Sequence, residues 1–126
     1  MPKKVTPVLY AAEIEPCVAL WTEHLGFQKI MEVPEGDKLG FAILQKGSLE
    51  LMYQSFSVAL KDAPELAFFY QKGPSFLFVE VANLEETITA VKGYKTAVER
   101  RTTPYGAKEY GVFDPAGHII LFAQFG

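Results

Sequence analysis

Apolar runs and single-stripe segments alternate along this chain in an order that occurs twice. Val5 to Ala12 is apolar and bounded by charge, which predicts a strand. From Glu13 to Leu25 the period changes. Val18, Trp21 and Leu25 recur at three and four residues, the spacing of a helix face, with Pro16 suited to the first turn and Gly26 to a left-handed cap. Phe27 to Val33 predicts the next strand and Pro34-Glu35-Gly36-Asp37 a turn. Leu39 to Leu44 and Leu49 to Tyr53 complete a meander around Lys46-Gly47, so the first half reads β-α-β-β-β.

Ser55 to Pro74 is the least regular stretch. It carries Leu66, Phe68, Phe69 and Tyr70 between two prolines and reads as a crossover with one or two helical turns. Its aromatics cover a core edge, a partner subunit or the mouth of a cleft. The first pattern then returns. Phe76 to Ala82 is a strand, and Asn83 is an N-cap followed by Glu85 and Glu86 where the helix dipole favours acids. Leu84, Ile88 and Val91 form the buried stripe and Gly93 stops the helix. Thr96 to Thr102 reads as an edge strand, Thr103-Pro104-Tyr105-Gly106 as a turn, Glu109 to Phe113 as a strand, Asp114-Pro115-Ala116-Gly117 as a turn, and His118 to Gln124 as the last strand.

The repeat is also visible in the residues themselves. Gly47-Ser48-Leu49-Glu50-Leu51-Met52-Tyr53-Gln54 and Gly117-His118-Ile119-Ile120-Leu121-Phe122-Ala123-Gln124 share the form Gly-x-aliphatic-x-Leu-x-x-Gln. Each follows a helix that stops at Gly plus an aromatic, Gly26-Phe27 and Gly93-Tyr94. The expected organisation is one α+β domain made of module 5–54 and module 75–124, joined by crossover 55–74. A half of about fifty residues buries too little surface to stand alone, so two halves pack and a cleft forms where they curve around each other.

Composition narrows the function. The 126 residues are 49% hydrophobic and 13% aromatic, enough for a real core and too apolar for disorder. The net charge of -3 comes with no basic run, which excludes a nucleic-acid face; Arg100-Arg101 is too short to make one. One cysteine, Cys17, allows no internal disulfide and no thiolate zinc cluster. The start, Met1-Pro2-Lys3-Lys4, runs into a strand without a signal peptide, and no stretch reaches about 18 apolar residues, so the expectation is a cytoplasmic protein off the membrane.

Val5-Thr6-Pro7-Val8-Leu9-Tyr10 ahead of the first helix, Glu23-His24-Leu25-Gly26-Phe27 at its end, Glu50-Leu51-Met52, and Tyr105 to Gly117 ending in Asp-Pro-x-Gly together resemble the vicinal oxygen chelate superfamily. This is the fold of glyoxalase I, extradiol dioxygenases, fosfomycin-resistance enzymes and bleomycin-resistance proteins. The resemblance spans the whole chain and implies two β-α-β-β-β modules forming a curved mixed sheet. It also implies a divalent metal held from the first, fourth, fifth and eighth strands in the family's enzymes. The positions here are Thr6, Glu50, Phe76 and Leu121, and only Glu50 is a metal ligand by chemistry. A slip by one residue offers Val5, Pro7, Ser75, Leu77, Ile120 or Phe122, none of which replaces an imidazole or carboxylate. No metal and no other cofactor is therefore expected.

The family register with strand alternation gives a lining: Thr6, Val8, Tyr10, Glu50, Met52, Phe76, Phe78, Glu80, Glu109, Gly111, Phe113, Ile119, Leu121 and Ala123. The mix suits a largely apolar ligand with a polar or cationic handle. Each carboxylate has a plainer reading. Glu50 pairs with a lysine or faces solvent, Glu80 ends its strand in water, and Glu109 pairs near Lys108 or with Arg100 across the hairpin. If two share the pocket, one titrates high, and a raised Glu50 is a candidate general base. Cys17 and Trp21 read as core, His24 as a surface or cap residue, and His118 as a partly exposed turn residue or a rim ligand contact.

Three functions follow. The first is a protein that binds a small aromatic or cationic molecule without chemistry, similar to bleomycin-resistance proteins and dimeric as they are. The second is a metal-dependent lyase, isomerase or dioxygenase of the glyoxalase type, for which Glu50 is the only support. The third is a metal-free enzyme or accessory module, with Glu50 as its base. Nothing in the sequence is a positive sign of a reaction.

Overall fold

The computed structural model describes residues 1–70 and 73–126, and its chain falls into two compact units, Met1–Gly73 and Pro74–Gly126. Each carries one four-stranded mixed sheet built from β-α-β-β-β.

The N-terminal unit runs β1 (Val8–Ala11), α1 (Glu15–Ala19), β2 (Gln28–Glu35), β3 (Lys38–Lys46) and β4 (Leu49–Ser55), with sheet order β1-β4-β3-β2. β1 lies parallel to β4, and β4, β3 and β2 are antiparallel. One sheet face is covered: Leu9, Ala42, Leu44, Leu51 and Tyr53 are buried, as are Ile14, Cys17, Leu20 and Trp21 from the helical segment. Trp21 Nε1 donates to the Tyr53 hydroxyl at 3.0 Å, satisfying both polar tips within the core. Cys17 and Trp21 are thus core residues, and His24 is exposed.

The helix expected over 13–25 is not uniform. α1 has five residues and continues as a π-helical turn over Leu20–His24. Val18 and Trp21 are buried as expected, while the widened turn adds Leu20 to the stripe and leaves Leu25 half-buried, which a strict 3.6-residue period misses. Gly26 then takes φ +77°, the left-handed conformation of a helix cap.

The crossover is more helical than expected. α2 (Phe56–Asp62), a 3₁₀ turn (Pro64–Leu66) and α3 (Ala67–Tyr70) occupy most of it. Gln71 and Lys72, part of the crossover expected over 55–74, lie outside the described residues. Ser55 caps α2 by accepting the Val58 N–H, and Glu35 accepts from Ser57 at 2.7 Å and Lys61 at 3.1 Å, tying α2 to the β2–β3 hairpin.

The C-terminal unit runs β5 (Phe76–Glu80), α4 (Leu84–Ala90), β6 (Thr96–Thr102), β7 (Ala107–Phe113) and β8 (Ile119–Phe125), with sheet order β5-β8-β7-β6. Asn83 caps α4 by accepting the Glu86 N–H at 3.0 Å. The helix ends at Ala90, before the Gly93 expected to stop it. Leu84, Val91, Val112, Ile120 and Phe122 are buried. β6 is an edge strand, as its polar sequence predicts.

His118 departs from expectation. It is buried, and its Nδ1 accepts the Ser75 N–H at 2.7 Å, so it ties the start of β5 to the loop before β8 rather than standing at a rim. The Asp114 carboxylate accepts the N–H groups of Ala116 and His118, which fixes that loop.

Candidate functional site

Strand alternation sorts the predicted lining residues by face. In the N-terminal unit the uncovered face is built in rows across β1, β4, β3 and β2. Val8 lies beside Met52, Met52 beside Ile43 and Ile43 beside Met31. The next row is Tyr10, Gln54, Phe41 and Val33. Tyr70 of α3 packs on Tyr10 with ring centroids 4.8 Å apart, so the crossover supplies an aromatic wall at this end.

The opposite end of the face is polar. Glu50 is the cross-strand partner of Gln45, whose Nε2 donates to Glu50 Oε1 at 3.0 Å. Thr6 Oγ1 donates to Oε2 at 2.9 Å. Lys4 Nζ lies 3.0 Å from Oε1 and 2.9 Å from Oε2. The Glu50 side chain is 6% exposed and the Lys4 side chain 55%. The Lys4 hydrogen bond, then that of Thr6, hold the Glu50 carboxyl below the usual carboxylate range; burial opposes them and Gln45 adds to them. This direction is opposite to the raised carboxyl that Glu50 would show if it shared its pocket with a second carboxylate, because its polar neighbours are an ammonium, a hydroxyl and an amide. Thr6, Val8, Tyr10, Glu50 and Met52 share one face, and Glu50 has the lysine partner that its plainer reading named.

In the C-terminal unit the corresponding rows are Phe76, Ile119 and Phe113, then Phe78, Leu121 and Gly111, then Glu80, Ala123 and Glu109. Phe76 and Phe78 are 57% and 50% exposed, whereas Leu121 is 3% exposed and Ala123 and Glu109 are fully buried. Phe78, Phe125 and Tyr105 follow one another with centroid spacings of 6.3 and 6.2 Å. Phe113 stands at the sheet end beside an open hollow of 420 Å³ lined also by Tyr94, Lys95 and Pro115, with Lys95 Nζ 5.6 Å above its ring.

Glu109 accepts from Arg101 Nε at 2.8 Å and from the Tyr105 hydroxyl. Burial pushes its carboxyl up, and the hydrogen bonds from Tyr105 and Arg101 with the guanidinium charge outweigh that, leaving it below the usual range. The pairing expected near Lys108 or with Arg100 is corrected: Arg101 stands opposite Glu109 across the β6–β7 ladder, and Arg100 pairs with Glu85. Glu80 is exposed at the end of β5.

The family metal positions do not fit a divalent cation. Thr6, Phe76 and Leu121 bring one hydroxyl and two hydrocarbon side chains, and the lone carboxylate, Glu50, already receives an ammonium, a hydroxyl and an amide on its two oxygens. Among the described residues no three His, Cys, Asp or Glu side chains group as a metal site.

Several of these partners escaped the sequence reading. Lys4 continues the period-two series Lys4, Thr6, Val8, Tyr10, and Gln45 faces Glu50 once a two-residue turn at Gly47-Ser48 fixes the hairpin register, so both had a legible signal. Arg101 and Tyr105 had none beyond proximity to the turn.

A β-α-β-β-β unit repeated in one chain is the architecture that the resemblance implied. The chain belongs to the glyoxalase/bleomycin resistance protein/dioxygenase superfamily, whose family model matches residues 5–122. Its fold is similar to that of lactoylglutathione lyase from Agrobacterium tumefaciens, with a TM-score of 0.76 at 17% identity, covering 98% of this chain and 95% of that one. It is similar also to TioX from Micromonospora sp. ML1, with a TM-score of 0.73 at 17% identity over 98% and 100% of the two chains. A bleomycin-binding protein solved in complex with bleomycin gives a TM-score of 0.66 at 18% identity over 99% and 100%. No curated protein matches the chain. No helix among the described residues is long and apolar enough to cross a membrane.

Proposed function

We propose that this protein binds a small organic molecule with an apolar or aromatic body on the uncovered face of the N-terminal sheet, without a metal and without chemistry on the ligand. The observation that carries this reading is the grading of that face, from Lys4, Thr6, Glu50 and Gln45 at one end, through Val8, Met52 and Ile43, to Tyr10 and Tyr70. Half-exposed apolar side chains between a polar end and an aromatic wall suit a ligand that buries a hydrophobic body and keeps one polar handle. The exposed Phe76, Phe78 and Phe125 of the C-terminal unit are of the same character.

The cationic handle expected from free carboxylates loses its basis, because Glu50 and Glu109 already hold Lys4 and Arg101. The metal-free enzyme with Glu50 as base loses support for the same reason: a carboxylate stabilised by three donors is a weaker base. The glyoxalase-type reading keeps only the Glu50 position. A bleomycin-binding relative of the same fold is in line with a binding role. The protein is proposed to act in the cytoplasm as a homodimer, with the exposed Leu66, Phe68 and Phe69 of the crossover as motive for the dimer.

Elemental analysis of purified protein is expected to find no stoichiometric divalent metal, and thermal-shift screening to find ligands that mass spectrometry recovers unchanged. A tightly held metal lost in Glu50→Ala, or conversion of a recovered ligand, overturns the reading. Light scattering at micromolar concentration is expected to give twice the chain mass, and a monomer refutes the dimer.

A further inference from the structure

Both oxygens of Glu50 are committed inside the protein. A carboxylate offers about four lone-pair sites, and here they receive Lys4 at both oxygens, Gln45 at Oε1 and Thr6 at Oε2. An approaching cation finds no open lone pair, because the carboxylate is 6% exposed. What meets solvent at this end is the Lys4 side chain, 55% exposed. An ammonium has three hydrogens, and Glu50 takes those directed at its two oxygens. The carboxylate thus holds the ammonium at the end of the apolar row Val8, Met52 and Ile43, as an anchor holds a tethered cation.

From this we infer that Lys4 is the specificity-determining residue of the N-terminal face, and that the molecule bound there is an amphipathic organic oxyanion whose apolar body covers Val8 and Met52 and whose negative group meets the Lys4 ammonium. The inference rests on the proposed binding face and deepens it by naming the charge of the handle. Glu50, Thr6 and Gln45 are positioning residues in this account. The lowered Glu50 carboxyl agrees with it, since Glu50 stays charged and keeps the lysine in place across the neutral range.

Three probes of one shape test it: 2-naphthoate, 2-naphthylmethanol and 2-naphthylmethylammonium, titrated by calorimetry with methyl NMR of Met52 and Val8 as the locator. The naphthoate is expected to bind roughly ten- to hundredfold more tightly than the alcohol, the size of one hydrogen bond to a charged group. The ammonium is expected to bind more weakly than either. Lys4→Met is expected to abolish the anion preference and invert it toward the ammonium, because Glu50 is then uncovered; Lys4→Arg is expected to retain it. Shifts at Met52 and Val8 with the alcohol are expected in all three proteins, which shows that the face itself is intact. Equal binding of the three probes at Met52 and Val8, or an anion preference that survives Lys4→Met, overturns the role of Lys4 and leaves the binding face standing. Absence of shifts at Met52 and Val8 with the alcohol overturns the face, and the role of Lys4 with it.

Discussion

Tyr53→Phe removes one oxygen atom from the N-terminal core and leaves the ring. Tyr53 and Trp21 are fully or nearly fully buried, and the hydroxyl accepts the Trp21 Nε1 hydrogen at 3.0 Å. An indole nitrogen has one hydrogen and no other use for it, so the variant strands a donor away from water. A buried group left unsatisfied costs about 1–3 kcal/mol, more than the roughly 1 kcal/mol net worth of an ordinary hydrogen bond. Unfolding entropy near 2.1 cal/mol/K per residue makes each kcal/mol worth roughly 4 °C in Tm at this length, so the expected drop is about 4–12 °C. Trp21 is the chain's single tryptophan, so its fluorescence in urea reports from the altered bond itself. The midpoint is expected to fall with an unchanged slope. Trp21→Phe loses ring volume as well, so the double-mutant cycle isolates the part that the two tips share; circular dichroism follows the Trp21→Phe proteins, and the cycle is expected to give a coupling of about 1 kcal/mol or more. A loss below about 0.5 kcal/mol in Tyr53→Phe, or additive effects in the double variant, refutes the claim that the bond between these tips holds the helix to the sheet.

Two further outcomes are expected. The folded Glu109 carboxyl lies below its ordinary value of 4.5; its stabilising effect is present above that value and is lost as pH falls through it toward the folded value, so Glu109→Gln is expected to be less stable at pH 7 and to flatten the acid limb of stability against pH, and an unchanged limb contradicts the buried pairing with Arg101 and Tyr105. A methyl at Gly40 would clash with Val58 Cγ2 and meet Glu35 Cβ at 3.2 Å where α2 approaches β3, so Gly40→Ala is expected to cost about 1–3 kcal/mol and Val58→Ala in the same chain to recover part of it; thermal melts that show no recovery place the strain elsewhere.

The order of elements was legible because each has a local cause. Asn83 caps α4, Gly26 turns the chain at positive φ, and the period-two series of β4 alternates buried and half-buried positions from Glu50 to Ser55. The site was legible only as a set of faces. Thr6, Val8, Glu50 and Met52 fall together because strand alternation fixes which side each residue occupies. Their electrostatics were legible only in part: a lysine partner for Glu50 was one reading, but a count of carboxylates says nothing about which cation reaches which. Lys4 comes from 46 residues away to Glu50, and Arg101 reaches Glu109 through a ladder with two register shifts. The π turn over Leu20–His24 escaped because a strict 3.6-residue period carries no sign of a widened turn.

By itself, the sequence determined a doubled β-α-β-β-β chain and the family positions at which Thr6, Phe76 and Leu121 supply no charge, because alternation and side-chain chemistry are local. The tertiary structure decided that the lysine paired with Glu50 is Lys4, and that the carboxylate side chain is buried while the lysine side chain stays half exposed. Ionisation and exposure depend on which groups the folded chain brings within about 3 Å, and no local pattern encodes that distance.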